Sequence, residues 1–333
     1  MLTVTRTPLR VSLFGGGTDY PEYFERRPGA VIGMAIDKYI IIAILDLIGY
    51  QNYNYRVSYS KLEHCNKIAE IEHPVVREVL NHFDVTQRLD ISIISDLPAS
   101  GSGLGSSSAF TVGFLRTIYA LQNQRPTKIE LSKKAIEVER EILRENVGVQ
   151  DQLHAAFGGI NRFDFSGSSI RISPVQMNSA AINELNASMV LVHTGVARRA
   201  TTTVAAQIEV TRKHAIDKEL GELYRLVEEC VLLLEAGTTG WLSQLGEMLS
   251  ASWLIKRTLS RDISNGNLDE LFETIMASGA YGAKLCGAGG GGFFLALIAP
   301  ERVQALAERI APLAVIPVSI DVDGSTLLYR QSR

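Results

Sequence analysis

"DLPASGSGLGSSSAF", residues 96–110, decides how the whole chain is read. Gly101, Gly103 and Gly105 alternate with other residues, and the serine trio Ser106, Ser107 and Ser108 follows. The segment before it, "RLDISIISDLP", reads as a strand that stops at Pro98. The segment after it, "SSSAFTVGFLRTIYALQ", spaces its apolar residues as a helix does, with the leading serines as N-cap candidates. A glycine-rich turn so placed can be a linker, a dinucleotide fingerprint or an anion cradle. Linkers do not usually sit between a well-formed strand and a well-formed helix. A dinucleotide fold needs a second parallel strand after the helix, with an acidic residue about 20 positions on. Here Gln122 and Asn123 lead instead into another helix, opened by a Thr127–Glu130 capping box. Residues 287–292 also fit G-x-G-x-x-G, but the strand "FFLALIA" follows them. The cradle remains. Glycines let main-chain N–H groups approach an anion, and a helix's first turn adds unpaired donors and positive potential. Serine hydroxyls there can cap the helix or ligate a magnesium ion held by the phosphates. No G-K-[ST] occurs in the chain, so this phosphate loop is not of the Walker A type.

Composition narrows the partners. The 333 residues are 46% apolar, enough to fill two packed domains. A net charge of −3 with dispersed basic residues leaves no footprint for nucleic acid or a membrane surface. Small-molecule chemistry is favoured. Cys65, Cys230 and Cys286 are far apart and include no C-x-x-C pair, which suits a reducing cytoplasm rather than a zinc or redox site. The N-terminus lacks the apolar core of a secretory signal, and "YIIIAILDLIGY" (39–50) is too short for a bilayer span and contains Asp46.

Elsewhere, Leu9, Val11 and Leu13 alternate with Arg6, Pro8, Arg10 and Ser12 as a strand from Thr5 to Leu13, running into "FGGGTDYPEYF". A second extended region covers about 31–59. After the capping box, Leu131, Ala135, Val138 and Ile142 form one helical stripe. "GVQDQLHAAFGG" reads as a short helix ended by Gly158 and Gly159, followed by strands near 160–173. A junction near 180, a strand at 188–194, helices to about 280 and a closing strand–helix–strand region complete a mixed α+β order. The division expected is 1–180 and 181–333.

Three segments in this order resemble the signatures of the GHMP kinase superfamily, which includes galactokinase, homoserine kinase and mevalonate kinase. They are "TPLRVSLFGGGTD" (7–19), "PASGSGLGSSSA" (98–109) and "KLCGAGGGG" (284–292). The second departs from P-x-x-x-G-L-G-S-S-A by Ser108 in place of the first alanine. "GGGTD" is similar to the sugar-1-kinase branch, nearest to heptose 7-phosphate kinases, with fucokinase domains sharing it. The resemblance implies an N-terminal domain like ribosomal protein S5 domain 2, a ferredoxin-like C-terminal domain and an active site between them. It implies transfer from ATP, with Mg2+, to the anomeric hydroxyl of D-glycero-D-manno-heptose 7-phosphate, toward nucleotide-activated heptose and surface polysaccharide. Other GHMP substrates, or a non-catalytic sugar sensor, are the alternatives. Oligomeric state is not legible.

The same resemblance assigns roles. Asp151 takes the place of the catalytic aspartate, with Arg10 where the family often has lysine. Pro98, Ser100, Gly101, Ser102, Gly103, Leu104, Gly105, Ser106, Ser107 and Ser108 would bind ATP, and Ser107 with a glutamate would hold the metal. Helical projection at about 100° per residue puts Glu139 on one flank of the buried stripe and Glu137 and Glu141 on the other. The local "ER" match to mevalonate kinase favours Glu139. Gly16, Gly17, Thr18 and Asp19 would meet the sugar, joined by Gly287, Ala288, Gly289 and Gly290. Arg26, Arg27, Arg198 and Arg199 are candidates for a substrate phosphate. His154 and His193 read as structural.

Overall fold

The computed structural model describes residues 1–97, 101–196 and 200–331. Its elements run β1 (Leu2–Phe14), α1 (Pro21–Phe24), β2 (Gly29–Asp46), β3 (Tyr55–Ser58), β4 (Leu62–Cys65), α2 (Pro74–His82), β5 (Leu89–Ser95) and α3 (Ser106–Leu121). Next come α4 (Lys128–Glu137), α5 (Gln150–Phe157), β6 (Ile160–Ser166), β7 (Ser169–Pro174), α6 (Ser179–Ser188) and β8 (Met189–His193). The chain closes with α7 (Ala200–Arg212), α8 (Asp217–Ala236), α9 (Trp241–Lys256), α10 (Gly266–Ala277), β9 (Ala280–Leu285), β10 (Phe293–Ile298), α11 (Val303–Arg309), β11 (Val315–Pro317) and β12 (Thr326–Arg330).

Two sheets organise these elements. The larger has eight strands, ordered β12-β1-β2-β5-β3-β4, with β6 and β7 continuing from β2. The 18-residue β2 is its spine, because Gly29–Met34 pairs with β6 while Ile40–Asp46 pairs with β5. β1 lies antiparallel along nearly all of β2, with register shifts after Pro8 and Ser12. A proline contributes no N–H to a ladder, which accounts for an irregularity at the first of these. The alternation in β1 holds: Leu9, Val11 and Leu13 are fully buried. Arg10, on the opposite face, is buried as well, under the glycine-rich loop.

The smaller sheet is antiparallel, ordered β11-β8-β10-β9. Numbered along the chain this is 4-1-3-2, and with α7–α10 before β9 and α11 before β11 it is the β-α-β-β-α-β pattern of a ferredoxin-like domain. A cut at residue 180 does not describe the chain fully. β12, at its far end, returns to pair with β1, and Ile320 bridges to Ile36, so the last residues complete the first sheet.

Two local expectations are corrected. The serine trio does not cap α3: the N-cap is Gly105 at φ 72°, and Ser106 to Ser108 form the first turn. The stripe after Thr127 does not continue as one regular α-helix. The Thr127–Glu130 capping box forms as expected, but Val138–Ile142 is a π-helical turn, closed by Leu143 N–H donating to the Val138 carbonyl. The wider turn shifts the helical phase at Val138, so a 100° projection cannot be carried through it.

Candidate active site

β5 delivers the chain to the glycine loop, and α3 leads away from it. Gly101, Gly103 and Gly105 have φ of 77°, 75° and 72°, each separated by one residue. Alternation of this kind can turn main-chain N–H groups toward one side, as anion-binding loops ahead of a helix N-terminus do; here the Leu104 N–H donates to Ser102 Oγ at 3.3 Å. Side chains are excluded here on two grounds. Positive φ disfavours them, and a Cβ on Gly103 would lie 2.6 Å from the Cys286 carbonyl of the third motif. Pro98 and Ser100 lie outside the described residues.

Arg10 fixes this loop to the rest of the site. Its main-chain N–H donates to the Leu104 carbonyl at 3.0 Å and its Nη1 to the Gly103 carbonyl at 2.7 Å. Nε and Nη2 meet Asp151 Oδ1 and Oδ2 at 2.8 and 2.6 Å, a two-pronged pairing that sets the plane of the carboxylate. Asp151 is a quarter exposed and faces the cavity from the first turn of α5.

The cavity, about 1150 Å³, spans both halves of the chain. At one end are Gly16, Gly17 and Asp19. The Asp19 carboxylate accepts from Gly17 N–H at 2.9 Å and Gln150 N–H at 3.4 Å. Burial pushes its pKa up, the Gly17 hydrogen bond opposes that, and the nearby Asp151 charge adds to the rise. Thr18, expected beside it, does not line the cavity; its hydroxyl bonds the main chain of Gly15 and Ala30 and holds the turn. In the third motif, Gly287 and Ala288 line the cavity. Gly289 and Gly290 pack instead on Ile263, whose carbonyl accepts from Gly290 N–H at 2.9 Å.

Glu139 is the glutamate brought to this site. It is fully buried on the π turn, and its Oε2 accepts from Ser108 at 2.8 Å and Gln152 at 2.5 Å. Glu141 is exposed, and Glu137 pairs with Lys134. Ser108 is therefore the serine that touches the glutamate, while Ser107 stands exposed at the cavity rim. Burial raises the Glu139 pKa from 4.5 to about 7 against the hydroxyl and amide donors around it. The folded state thus holds a proton that the unfolded state releases near 4.5, and its stability falls as pH rises through that interval. Glu139→Gln keeps the acceptor oxygen and removes the charge. The metal-free variant is expected to exceed the parent in stability at pH 8, by at most on the order of 3 kcal/mol, with the gap closing near pH 5. Thermal unfolding at the two pH values checks this, and equal midpoints at pH 8 would refute the buried charge.

Arg26 and Arg27 are engaged elsewhere, both pairing with Asp217. Arg198 and Arg199 lie outside the described residues. His154 is fully buried against Phe163, and burial drives its pKa down to about 3, so it stays neutral. His193 lies at the end of β8 against Phe293, away from the cavity lining.

Three cavity features are not among the site residues expected from the sequence. An apolar wall combines Ile40, Tyr59, Val75, Ile93, Leu97 and Phe110, drawn from five separate segments. Lys256, on α9, donates to the Leu285 and Gly287 carbonyls. Lys284 donates to the carbonyls of Ser12, at 3.1 Å, and Leu13, and burial lowers its pKa to about 8.

A glycine-rich loop at a helix N-terminus, an arginine-oriented carboxylate and a polar pocket share one cleft, the parts that phosphoryl transfer to an alcohol calls for. The sequence matches the family descriptions "GHMP kinases N terminal domain" over residues 66–159 and "GHMP kinases C terminal" over 232–312. Together these cover more than half of the chain, which belongs to the GHMP kinase family, whose members use ATP as phosphate donor. D-glycero-alpha-D-manno-heptose 7-phosphate kinase of Campylobacter jejuni is 29% identical over 92% of both chains. A galactokinase of Pyrococcus furiosus is 27% identical over 92% of this chain and 91% of its own. Among solved structures, a D-glycero-D-manno-heptose 1-phosphate kinase from Bacteroides thetaiotaomicron superposes with a TM-score of 0.79 at 22% identity, covering all of both chains. The protein is thus a GHMP sugar kinase of the two-domain α+β fold. Among the described residues, no helix is long and apolar enough to cross a membrane.

Proposed function

We propose that this kinase phosphorylates the anomeric hydroxyl of D-glycero-D-manno-heptose 7-phosphate, giving the 1,7-bisphosphate. The observation that carries the reading is the Arg10–Asp151 fork, joined directly to the glycine loop through the Gly103 carbonyl. One side chain links the triphosphate cradle to the carboxylate that receives the acceptor's proton. Both Asp151 oxygens keep a lone pair after accepting from Arg10, so the carboxylate can still take that proton. The acceptor oxygen then bonds to the γ-phosphorus, the bond to the bridging β–γ oxygen breaks, and ADP leaves with those electrons. Arg10 steadies the charge on the transferring group. Asp19, Gly16 and Gly17 hold the sugar hydroxyls, and the apolar wall takes the nucleotide base. The 29% identity to a heptose 7-phosphate kinase across 92% of both chains supports the choice of sugar.

Magnesium fits the residues present. Glu139 Oε1 is buried without a hydrogen-bond partner, and Ser107 and Ser108 add hard oxygen donors nearby. No cluster of three His, Cys, Asp or Glu exists among the described residues, which suits an ion shared between one carboxylate and the nucleotide phosphates. When bound, it neutralises charge on the β- and γ-phosphates. A coupled ADP-release assay over heptose 7-phosphate, unphosphorylated heptose, fucose, galactose and mevalonate tests the assignment. Turnover is expected with heptose 7-phosphate far above the others. Preference for an unphosphorylated sugar would reject the substrate, and no turnover of any would favour a sugar sensor.

A further inference from the structure

The cavity is lined by four cationic side chains among the described residues, Arg10, Lys61, Lys256 and Lys284. Arg10 is committed to Asp151, and Lys61 to Glu72 at 2.8 Å. Lys256 lies against Gly287, which adjoins Gly103, so it belongs to the phosphate-loop side of the cleft. Lys284 is different. Its ammonium is buried, donates to the Ser12 and Leu13 carbonyls, lies 5.8 Å from the centre of the Phe14 ring, and has no carboxylate ion-pair partner among the described residues. Two of its three N–H donors are used, and a third is available. An unpaired buried charge is costly unless something anionic arrives to balance it. Burial lowers the pKa of this ammonium; the neighbouring Cys286 opposes that and the Arg10 charge adds to it.

Two hydroxyls accompany Lys284. Ser12 Oγ and Ser252 Oγ are both buried without a hydrogen-bond partner among the described residues, and both residues line the cavity. Ser252 is level with Lys284. Its helix runs alongside β9, with Ser250 Oγ accepting from Ala283 N–H before it and Lys256 donating to Leu285 O after it. Position along β1 separates this cluster from the triphosphate. The Arg10 main chain meets Leu104 of the loop, whereas Ser12 lies two residues further toward Gly16 and Asp19, about 6–7 Å along the strand.

We propose that Lys284, with the hydroxyls of Ser12 and Ser252, binds a phosphate monoester carried by the acceptor itself, at the end remote from the hydroxyl that is phosphorylated. This rests on the sugar-phosphate reading of the same cavity. The cluster is a specificity site: it selects acceptors that already bear a phosphate and takes no part in the bond exchange.

The test compares the parent enzyme, Lys284→Met and Ser252→Ala on heptose 7-phosphate and on unphosphorylated heptose. Lys284→Met is expected to raise KM for heptose 7-phosphate about 10- to 100-fold, the usual worth of a charge-assisted contact to phosphate. Ser252→Ala should raise it several-fold. KM for ATP, and kcat/KM for unphosphorylated heptose, should stay within about twofold, since neither involves the acceptor phosphate. Inorganic phosphate should inhibit the parent competitively against heptose 7-phosphate and not against ATP. Equal losses on both acceptors would overturn the proposal by placing Lys284 with the transferred group or the fold. An unchanged KM for heptose 7-phosphate in both variants would overturn it while leaving the substrate assignment intact. If the parent uses only unphosphorylated sugars, the substrate assignment fails first. Should Lys284→Met not fold, Ser252→Ala and the phosphate competition decide the matter.

Discussion

Asp151→Asn is expected to lower kcat by about 10²- to 10⁴-fold, the range a positioned base supplies, with KM for ATP changed by no more than about threefold. The two effects separate because Asp151 lies outside the glycine loop proposed to hold the nucleotide. The Arg10 N–H to Leu104 bond and the Nη1 bond to Gly103 do not pass through it. Asparagine keeps the volume but only one oxygen, so it can accept from Nε or from Nη2 of Arg10, and its amide N–H groups confront the other. The fork becomes a single contact, and the group left near the acceptor hydroxyl cannot take its proton. Single-turnover measurements with saturating ATP isolate this step from product release. Retention of the parental rate would remove Asp151 from the reaction and reduce it to a helix-terminal residue of α5.

How much of this site the sequence disclosed depends on how locally each feature is encoded. The glycine loop is legible because its requirement is local: three alternating left-handed residues between a strand and a helix allow little besides glycine. The capping box at Thr127 and Glu130 is legible for the same reason. Glu139 was reachable only as one of two flanks, since the π turn at Val138 breaks the periodicity on which a projection depends. Ser108 shows the limit from the other side. By motif it replaces an alanine, and only the fold reveals that its hydroxyl meets Glu139. The apolar wall carries no signal at all, and Lys284 falls inside the third motif without any role marked for it. The wall's residues come from β2, the turn after β3, α2, the end of β5 and the residues after it, and α3, and nothing in the local pattern of any one segment distinguishes a side chain facing a cleft from one facing the core. The return of β12 to β1 is hidden similarly, because pairing across more than 300 residues has no local mark.

Arg10→Met should cost more in kcat/KM than any other single change at the transfer site apart from Asp151, on the order of 10³-fold or greater. Methionine retains much of the apolar stem and so limits the packing loss, which makes the missing guanidinium the main variable. That group makes three side-chain hydrogen bonds and is only 5% exposed. Removing it leaves the Gly103 carbonyl and both Asp151 oxygens without their donor, and the cradle loses its tie to the carboxylate. Both KM for ATP and kcat should therefore suffer, unlike in Asp151→Asn. Arg10→Lys discriminates between charge and shape. An ammonium restores the positive charge but cannot span Asp151 and Gly103 with a planar fork. If attraction alone matters, lysine should recover nearly all the lost activity; if the carboxylate's orientation matters, it should recover about a tenth or less. Arg10→Met has a second consequence at Lys284, whose pKa the Arg10 charge helps to depress. With that repulsion gone, the ammonium should titrate at higher pH, followed by the pH dependence of its acylation. An unmoved titration would mean that burial, and not the Arg10 charge, sets the value.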